Sequence, residues 1–312
     1  MALPFAVTLP IKDRKLSATK RAKLEHQLAL VKARSLAASV VQRRRKKKRL
    51  PVKPPRQKQP DHIRRQYRSA LLAFFSEAHR VTRRALERAR PQIEAAAAAN
   101  RKEDARLDAS AASLLQRTAR AFFDAFPNTE LAKVARTFAD LTSDYQKSEI
   151  VEQFKKVTGV NIFAGITEDW LPKAVDEFVT ENVRLIRSLA EDHFSDLRNH
   201  LTEAIADGRR WEDIAEEIEE RYGVADRHAE LIARDQVGKF YGALNEERQT
   251  QLGVEKYVWR TARDNRVRDE HAEREGQSFS WDEPPEDGHP GEAINCRCQA
   301  EPDLAGLLDA LE

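Results

Sequence analysis

Apolar positions recur at spacings of three and four along most of this chain, the mark of helices that bury one face. Over residues 61–98, Ile63, Tyr67, Leu71, Phe74 and Phe75 fall on one side, and Pro91 is expected to kink or restart the helix. A second helix is expected over 104–126, with Leu107, Leu114, Leu115, Ala119, Phe122 and Phe123 in one stripe and Pro127-Asn128 as its stop. The third starts with Asn128 or Thr129 as cap and Glu130 in its first turn, and runs toward Lys156 with an interruption near Thr142-Ser143. After a break over 159–165, Thr167 to Trp170 reads as the start signal of a long helix. Its buried face is Leu171, Val175, Phe178, Val179, Val183, Ile186 and Leu189, and it continues past His193 toward Asp207. Residues 211–222 read as a shorter amphipathic helix ended by Gly223, and Asp226 as the cap of another over 228–250. The aromatic stripes are read as core.

Near residue 254 the period changes. Residues 254–259 alternate enough for a short strand, and 261–264 can turn the chain. Asp264 is placed to cap a short helix over 266–275 that Gly276 ends, with Val267 and His271 four apart on one face. A second short strand is expected at 279–281. Pro284, Pro285, Gly288, Pro290 and Gly291 then impose an irregular loop, which something other than backbone ladders must hold.

The 312 residues carry a net charge of only +3, but its distribution is uneven. Residues 1–90 hold 26 Lys and Arg against 5 Asp and Glu, a balance of +21, and the remainder holds 28 against 46, a balance of −18. The N-terminal part therefore attracts polyanions. Residues 1–60 read as a basic arm: an amphipathic helix over 16–41 with Leu24, Leu28, Val31 and Leu36 on one side, then Arg43, Arg44, Arg45, Lys46, Lys47, Lys48 and Arg49, then a Pro-broken linker over 51–60. Seven consecutive cations repel one another until a polyanion neutralises them, and binding DNA there would release counterions. The competing reading is a solvated tail. No run of about 18 apolar residues is present, so no membrane partner is expected, and the N-terminus lacks the layout of a secretory signal. With only two cysteines, one residue apart, a disulfide between them is disfavoured and a reducing compartment fits.

The chemistry-bearing residues gather near the C-terminus. His271, His289, Cys296 and Cys298 together supply the donor set of a four-coordinate structural zinc site, although Cys-Arg-Cys is tighter than the usual spacing of two to four between paired ligands. The alternative is a hydrogen-bonded His271 beside two partly buried thiols. A Cys-His enzyme with Cys296 as nucleophile, His271 as base and Asp264 as orienter can also be drawn, but no oxyanion-hole signature accompanies it. Asp264 is better read as a cap or as the partner of Arg266 or Arg268. Glu216-Glu217 and Glu219-Glu220 read as solvated faces, and no nucleotide-binding glycine motif is present.

The order Trp259, Thr261, Asp264, Arg266, Arg268, His271, Gly276, Pro290, Gly291, Asn295, Cys296, Arg297, Cys298 is similar to the C-terminal motif of phage Mu F-like proteins, the minor head proteins of tailed phages. Gly208 to Ile214 and the stretch from Ala229 to Asn245 are similar to that family's preceding helices, so the resemblance covers about the last third of the chain. Asp235-Gln236 stands where family members often carry Thr-Glu. The resemblance implies a non-enzymatic minor head protein acting in head morphogenesis, inside the virion and assembled in the host cytoplasm. Its implied partners are the portal protein, or the major capsid or scaffold protein, at the inner capsid face. The expected fold is mainly α: a basic arm (1–60), an elongated helical body (61–165 and 166–250) and a small α+β module (251–312). The rival is a nucleic-acid-binding packaging or regulatory protein that works through the arm.

Overall fold

The computed structural model describes residues 54–100, 109–159, 161–164 and 166–303, with isolated helical positions at 27–29, 31, 32, 35 and 39. The expected arm helix falls mostly, and the Arg43–Arg49 run wholly, outside the described residues, as does Leu107. Five long helices follow in order: α1 (Asp61–Asn100), α2 (Ala109–Ala125), α3 (Asn128–Thr158), α4 (Leu171–Ala206) and α5 (Trp211–Gln251). A small module closes the described chain with β1 (Lys256–Arg260), α6 (Asp269–Glu273), β2 (Ser278–Ser280) and β3 (Gln299–Pro302). The protein is mainly α, with one small antiparallel sheet. No described helix is long and apolar enough to cross a membrane.

The helical stripes meet as their spacing requires. Tyr67, Phe75, Ala139, Ile186, Ala233 and Val237 from four helices join one apolar cluster, while Leu86, Ile93, Leu201, Ile214 and Ile218 form a second. Burial at this scale stabilises each large side chain by about 1.5–3 kcal/mol, which is why packing overrides local signals here.

Five such signals are overridden. Pro91 sits exposed inside an unbroken α1, because Ala89, Ile93 and Ala97 on the opposite side continue the buried stripe. α3 passes through Thr142 and Ser143 without interruption: Thr142 Oγ1 donates to Phe138 O at 2.6 Å, and both residues are buried. α3 starts after Pro127 with no side-chain cap, and Asn128 accepts hydrogen bonds from Arg187 instead. The largest correction concerns α5, a single helix where two were expected. Gly223 and Asp226 lie inside it, since Ile218, Tyr222, Ala225 and Ala229 carry the buried face straight through. α4 likewise begins without a side-chain cap. Glu168, in the expected start signal, turns inward to Arg248 on α5. Glu216, Glu219 and Glu220 on α5 are exposed, as expected, while Glu217 is half-buried against His200 and Arg209, and Glu219 reaches Arg83 across the surface.

The end of the Pro-rich segment is packed down. Gln57 is buried, donating to Gln153 Oε1 at 3.0 Å and Asn245 Oδ1 at 2.9 Å and accepting from Tyr241 Oη at 3.0 Å. Arg56 reaches Thr261 O and Glu275, and Gln59 donates to Arg297 O at 2.9 Å. Three polar side chains of a short segment thus tie the helices to the C-terminal module.

Candidate metal centre

The module is built around β1, the middle strand of the order β2-β1-β3. Tyr257 faces Phe279 on β2 and Pro302 on β3, and Trp259 faces Ala300. β3 is the element that the sequence pattern did not reveal, because its four residues, Gln-Ala-Glu-Pro, show no apolar alternation. The neighbours pull it into the sheet: Asn245 and Gln249 of α5 both donate to Ala300 O, at 2.8 and 2.9 Å, and Arg260 pairs with Glu301 across the strands at 2.5 Å. Period 2 sends Tyr257 and Trp259 to the same face, and both are fully buried.

That face carries the histidine and the thiols. His271 comes from α6, which is shorter than expected and starts at Asp269. Asp264 does not cap it; Asp264 Oδ1 accepts the Arg266 backbone N–H at 3.0 Å and closes a turn ahead of the helix. Val267 therefore lies outside the helix and shares no helical face with His271. The His271 ring packs edge-on against Trp259 at 5.1 Å between centroids, and Gly276, at φ 84°, returns the chain to β1 by donating to Trp259 O at 2.9 Å.

Cys296 and Cys298 arrive on the loop that follows β2. Its course is set by α5, where Gly238 and Gly242, four apart, open a bare strip of helix. A Cβ on Gly291, at φ 106°, would stand 3.4 Å from Gly238 O, and one on Gly242 would stand 2.9 Å from Pro290 O. Asn295, also left-handed at φ 59°, donates its backbone N–H to Asp235 Oδ1 at 2.9 Å and accepts from Arg234 Nε at 2.7 Å. Asp235, noted in the sequence only as a departure from the family pattern, is thus an anchor for the Cys loop. Arg268 donates to Ile294 O at 2.8 Å, and Arg297 pairs with Asp264. That pairing replaces the expected partnership of Asp264 with Arg266 or Arg268, and the Arg297 hydrogen bond brings the Asp264 carboxyl down to about 2.

With the loop held so, three donors converge. His271 Nδ1 lies 3.4 Å from Cys298 Sγ and 3.7 Å from Cys296 Sγ, and all three residues are buried. On its other side His271 Nε2 meets Asp287 Oδ2 at 2.6 Å. Burial alone would raise the Asp287 carboxyl; hydrogen bonds from His271 and Arg274 outweigh it and bring the carboxyl down. An ionised Asp287 accepts the Nε2–H and leaves the Nδ1 lone pair aimed at the sulfurs. The thiols hold their protons unequally. Hydrogen bonding from Cys298, aided by the backbone N–H groups of Cys298 and Gly291, draws Cys296 down to about 6 against the effect of burial, whereas its sulfur neighbour and burial push Cys298 up.

Two sequence expectations change. His289 is not part of this group: its Nδ1 lies 3.0 Å from Tyr257 Oη, and it gathers instead with the carboxylates of Glu246 and Glu292. The acid behind His271 is Asp287, not Asp264, which is engaged elsewhere. Asp287 sits among prolines and glycines, and nothing in its spacing marks it out. Beside the three donors opens a cleft of about 100 Å³ lined by Arg266, Val267, Arg268, Asn295 and Arg297.

Residues 195–301, from the second half of α4 to β3, match the family described as phage Mu protein F like protein. This part of the chain is similar to phage Mu F-like proteins. The F-like region contains every residue of the Cys/His cluster together with the α5 glycines that seat it. An uncharacterized protein of Haemophilus influenzae (strain Rd) is 34% identical over 146 residues, which is 46% of this chain and 33% of that protein. The chain thus covers about a third of that relative's length. No solved structure matches the chain.

Proposed function

We propose that this protein is a minor head protein of a tailed phage, acting in head morphogenesis from inside the virion. The observation that carries the reading is the F-like match over 195–301, which takes in the Cys/His module and the helix on which it is seated. The portal protein, or the major capsid or scaffold protein at the inner capsid face, is the partner for the acidic helical body. Double-stranded DNA is the partner for Arg43, Arg44, Arg45, Lys46, Lys47, Lys48 and Arg49. The role is structural rather than catalytic: both sulfurs address the same imidazole nitrogen, an arrangement suited to holding a centre rather than presenting one nucleophile. Quantitative mass spectrometry of gradient-purified heads, empty and DNA-filled, tests the reading. A low, reproducible ratio to the major shell protein in both supports it, and absence from all particles overturns it.

The charge balance of residues 1–90 favours a second reading, a packaging or regulatory protein that acts through the arm alone. Deleting residues 12–53 separates the two. The cut stops short of Gln57, whose bonds belong to the folded body. Loss of seven phosphate contacts lowers the slope of log affinity against log salt by about 6. If the truncated chain still enters heads, the arm is not its only working part.

A further inference from the structure

The His271, Cys296 and Cys298 donors meet at one point, and that convergence demands an explanation. An imidazole nitrogen has one lone pair and accepts one S–H, yet two sulfurs stand within 3.7 Å of His271 Nδ1. We propose that His271 Nδ1, Cys296 Sγ and Cys298 Sγ bind a single zinc-type thiophilic cation, with the fourth coordination position open to the cleft bordered by Arg268 and Arg297.

The distances fit. Zinc bonds of about 2.3 Å to sulfur and 2.0 Å to nitrogen at a tetrahedral angle put S and N about 3.5 Å apart. The observed separations, 3.4 and 3.7 Å, straddle that value. All three donor atoms lie within 4.8 Å of one another. The tight Cys-Arg-Cys spacing is accommodated because Asn295 takes the left-handed conformation and the Cys298 backbone N–H turns back toward Cys296 Sγ at 3.4 Å. Asp287 adds what a metal-bound histidine usually has, a carboxylate on its far nitrogen that fixes tautomer and ring orientation. The cation would clasp α6 to a Pro- and Gly-rich loop that is otherwise held by isolated hydrogen bonds. Because the described residues supply three donors here, the fourth position is left for water or another incoming donor. His289, against Tyr257, plays no part.

The test uses the full-length chain, reduced, stripped with a chelator and titrated with Co²⁺ and then Zn²⁺. One equivalent of Co²⁺ giving thiolate charge-transfer absorption and the intense visible bands of a tetrahedral site, displaced by Zn²⁺, is the expected result. Cys298→Ser should abolish the charge-transfer band or weaken it at least tenfold, Asp287→Asn should lower affinity about 10- to 100-fold, and His289→Ala should bind as the parent does. Absence of thiolate charge transfer in the parent overturns the proposal, whatever the variants do. So does full binding by a folded Cys296→Ser, Cys298→Ser double variant, or loss of binding in a folded His289→Ala.

Discussion

The guanidinium of Arg248 is the group whose removal or unpairing should hurt the fold most. It is 0% exposed, and all five of its N–H groups are used. Nε and Nη2 grip the two oxygens of Glu168 at 2.7 and 3.1 Å; Nη1 donates to Ser143 O at 2.9 Å and Gln146 Oε1 at 2.6 Å; Nη2 also donates to Ser143 Oγ at 2.9 Å. These bonds join the end of α5 to α3 and to the segment ahead of α4, close to where β1 begins. Glu168→Gln keeps the shape and removes the counter-charge, leaving a buried cation with only the neutral part of its shell. With the Glu168 side chain 6% exposed, solvent screening offers little relief, so the cost should be about 3–5 kcal/mol. Urea denaturation followed by circular dichroism measures it. Glu168→Leu combined with Arg248→Met should be less destabilised than the sum of the two single changes, because no lone buried charge remains. The pH dependence has a definite sign. Burial opposes ionisation of Glu168, but the Arg248 hydrogen bonds and charge win, so its folded pKa lies below the unfolded value. Its contribution is therefore present above about pH 4.3 and fades as pH falls through the folded value, and the gap between parent and Glu168→Gln should close in acid. A cost below about 1 kcal/mol for Glu168→Gln at pH 7, the range of an exposed pair, would refute the reasoning.

Three further outcomes are expected. Gly242→Ala gains up to about 1 kcal/mol in helix propensity, but its Cβ would meet Pro290 O at 2.9 Å, a clash of about 1–3 kcal/mol; net destabilisation with faster amide exchange over 290–298 is expected, and unchanged exchange would contradict it. Burial holds His79 down to about 3 and His193 down to about 4, so stability is complete above about pH 6.5 and declines as pH falls toward those values. Glu246, raised to about 7 by burial with Glu292 and Glu247 nearby, works in the opposite direction; the decisive comparison is His79→Gln with its parent at pH 7 and pH 5, where the variant should lose less. The chain cut before residue 54 is the reference for the last comparison. Truncation before residue 61 removes Gln57 from the buried Gln153 and Asn245 and should cost about 1–3 kcal/mol, and equal stabilities would show that Gln57 holds nothing.

The helical body was legible because its signal is local: a stripe such as Ile63, Tyr67, Leu71 and Phe74 needs only the helical period to be recognised. The turn chemistry around Gly276 and Gly291 was legible for the same reason, since each residue states its own backbone preference. Where neighbours compete with a local signal, the neighbours prevailed. Gly223 and Pro91 mark stops in an isolated helix, yet each lies opposite a buried stripe whose packing is worth more than the break. The Cys/His cluster divides along the same line. Its residue types and the family resemblance were readable, but the separation of His289 from the thiols was not, because spacing along the chain lets both histidines into the donor set. That separation follows from the path of the loop, laid against Gly238 and Gly242, pinned by Asp235 through Asn295, and delivering Asp287 to the far side of His271. Periodicity within one element can be read from its own residues, whereas the meeting of His271 with sulfurs 25 and 27 positions away depends on surfaces supplied by a different helix.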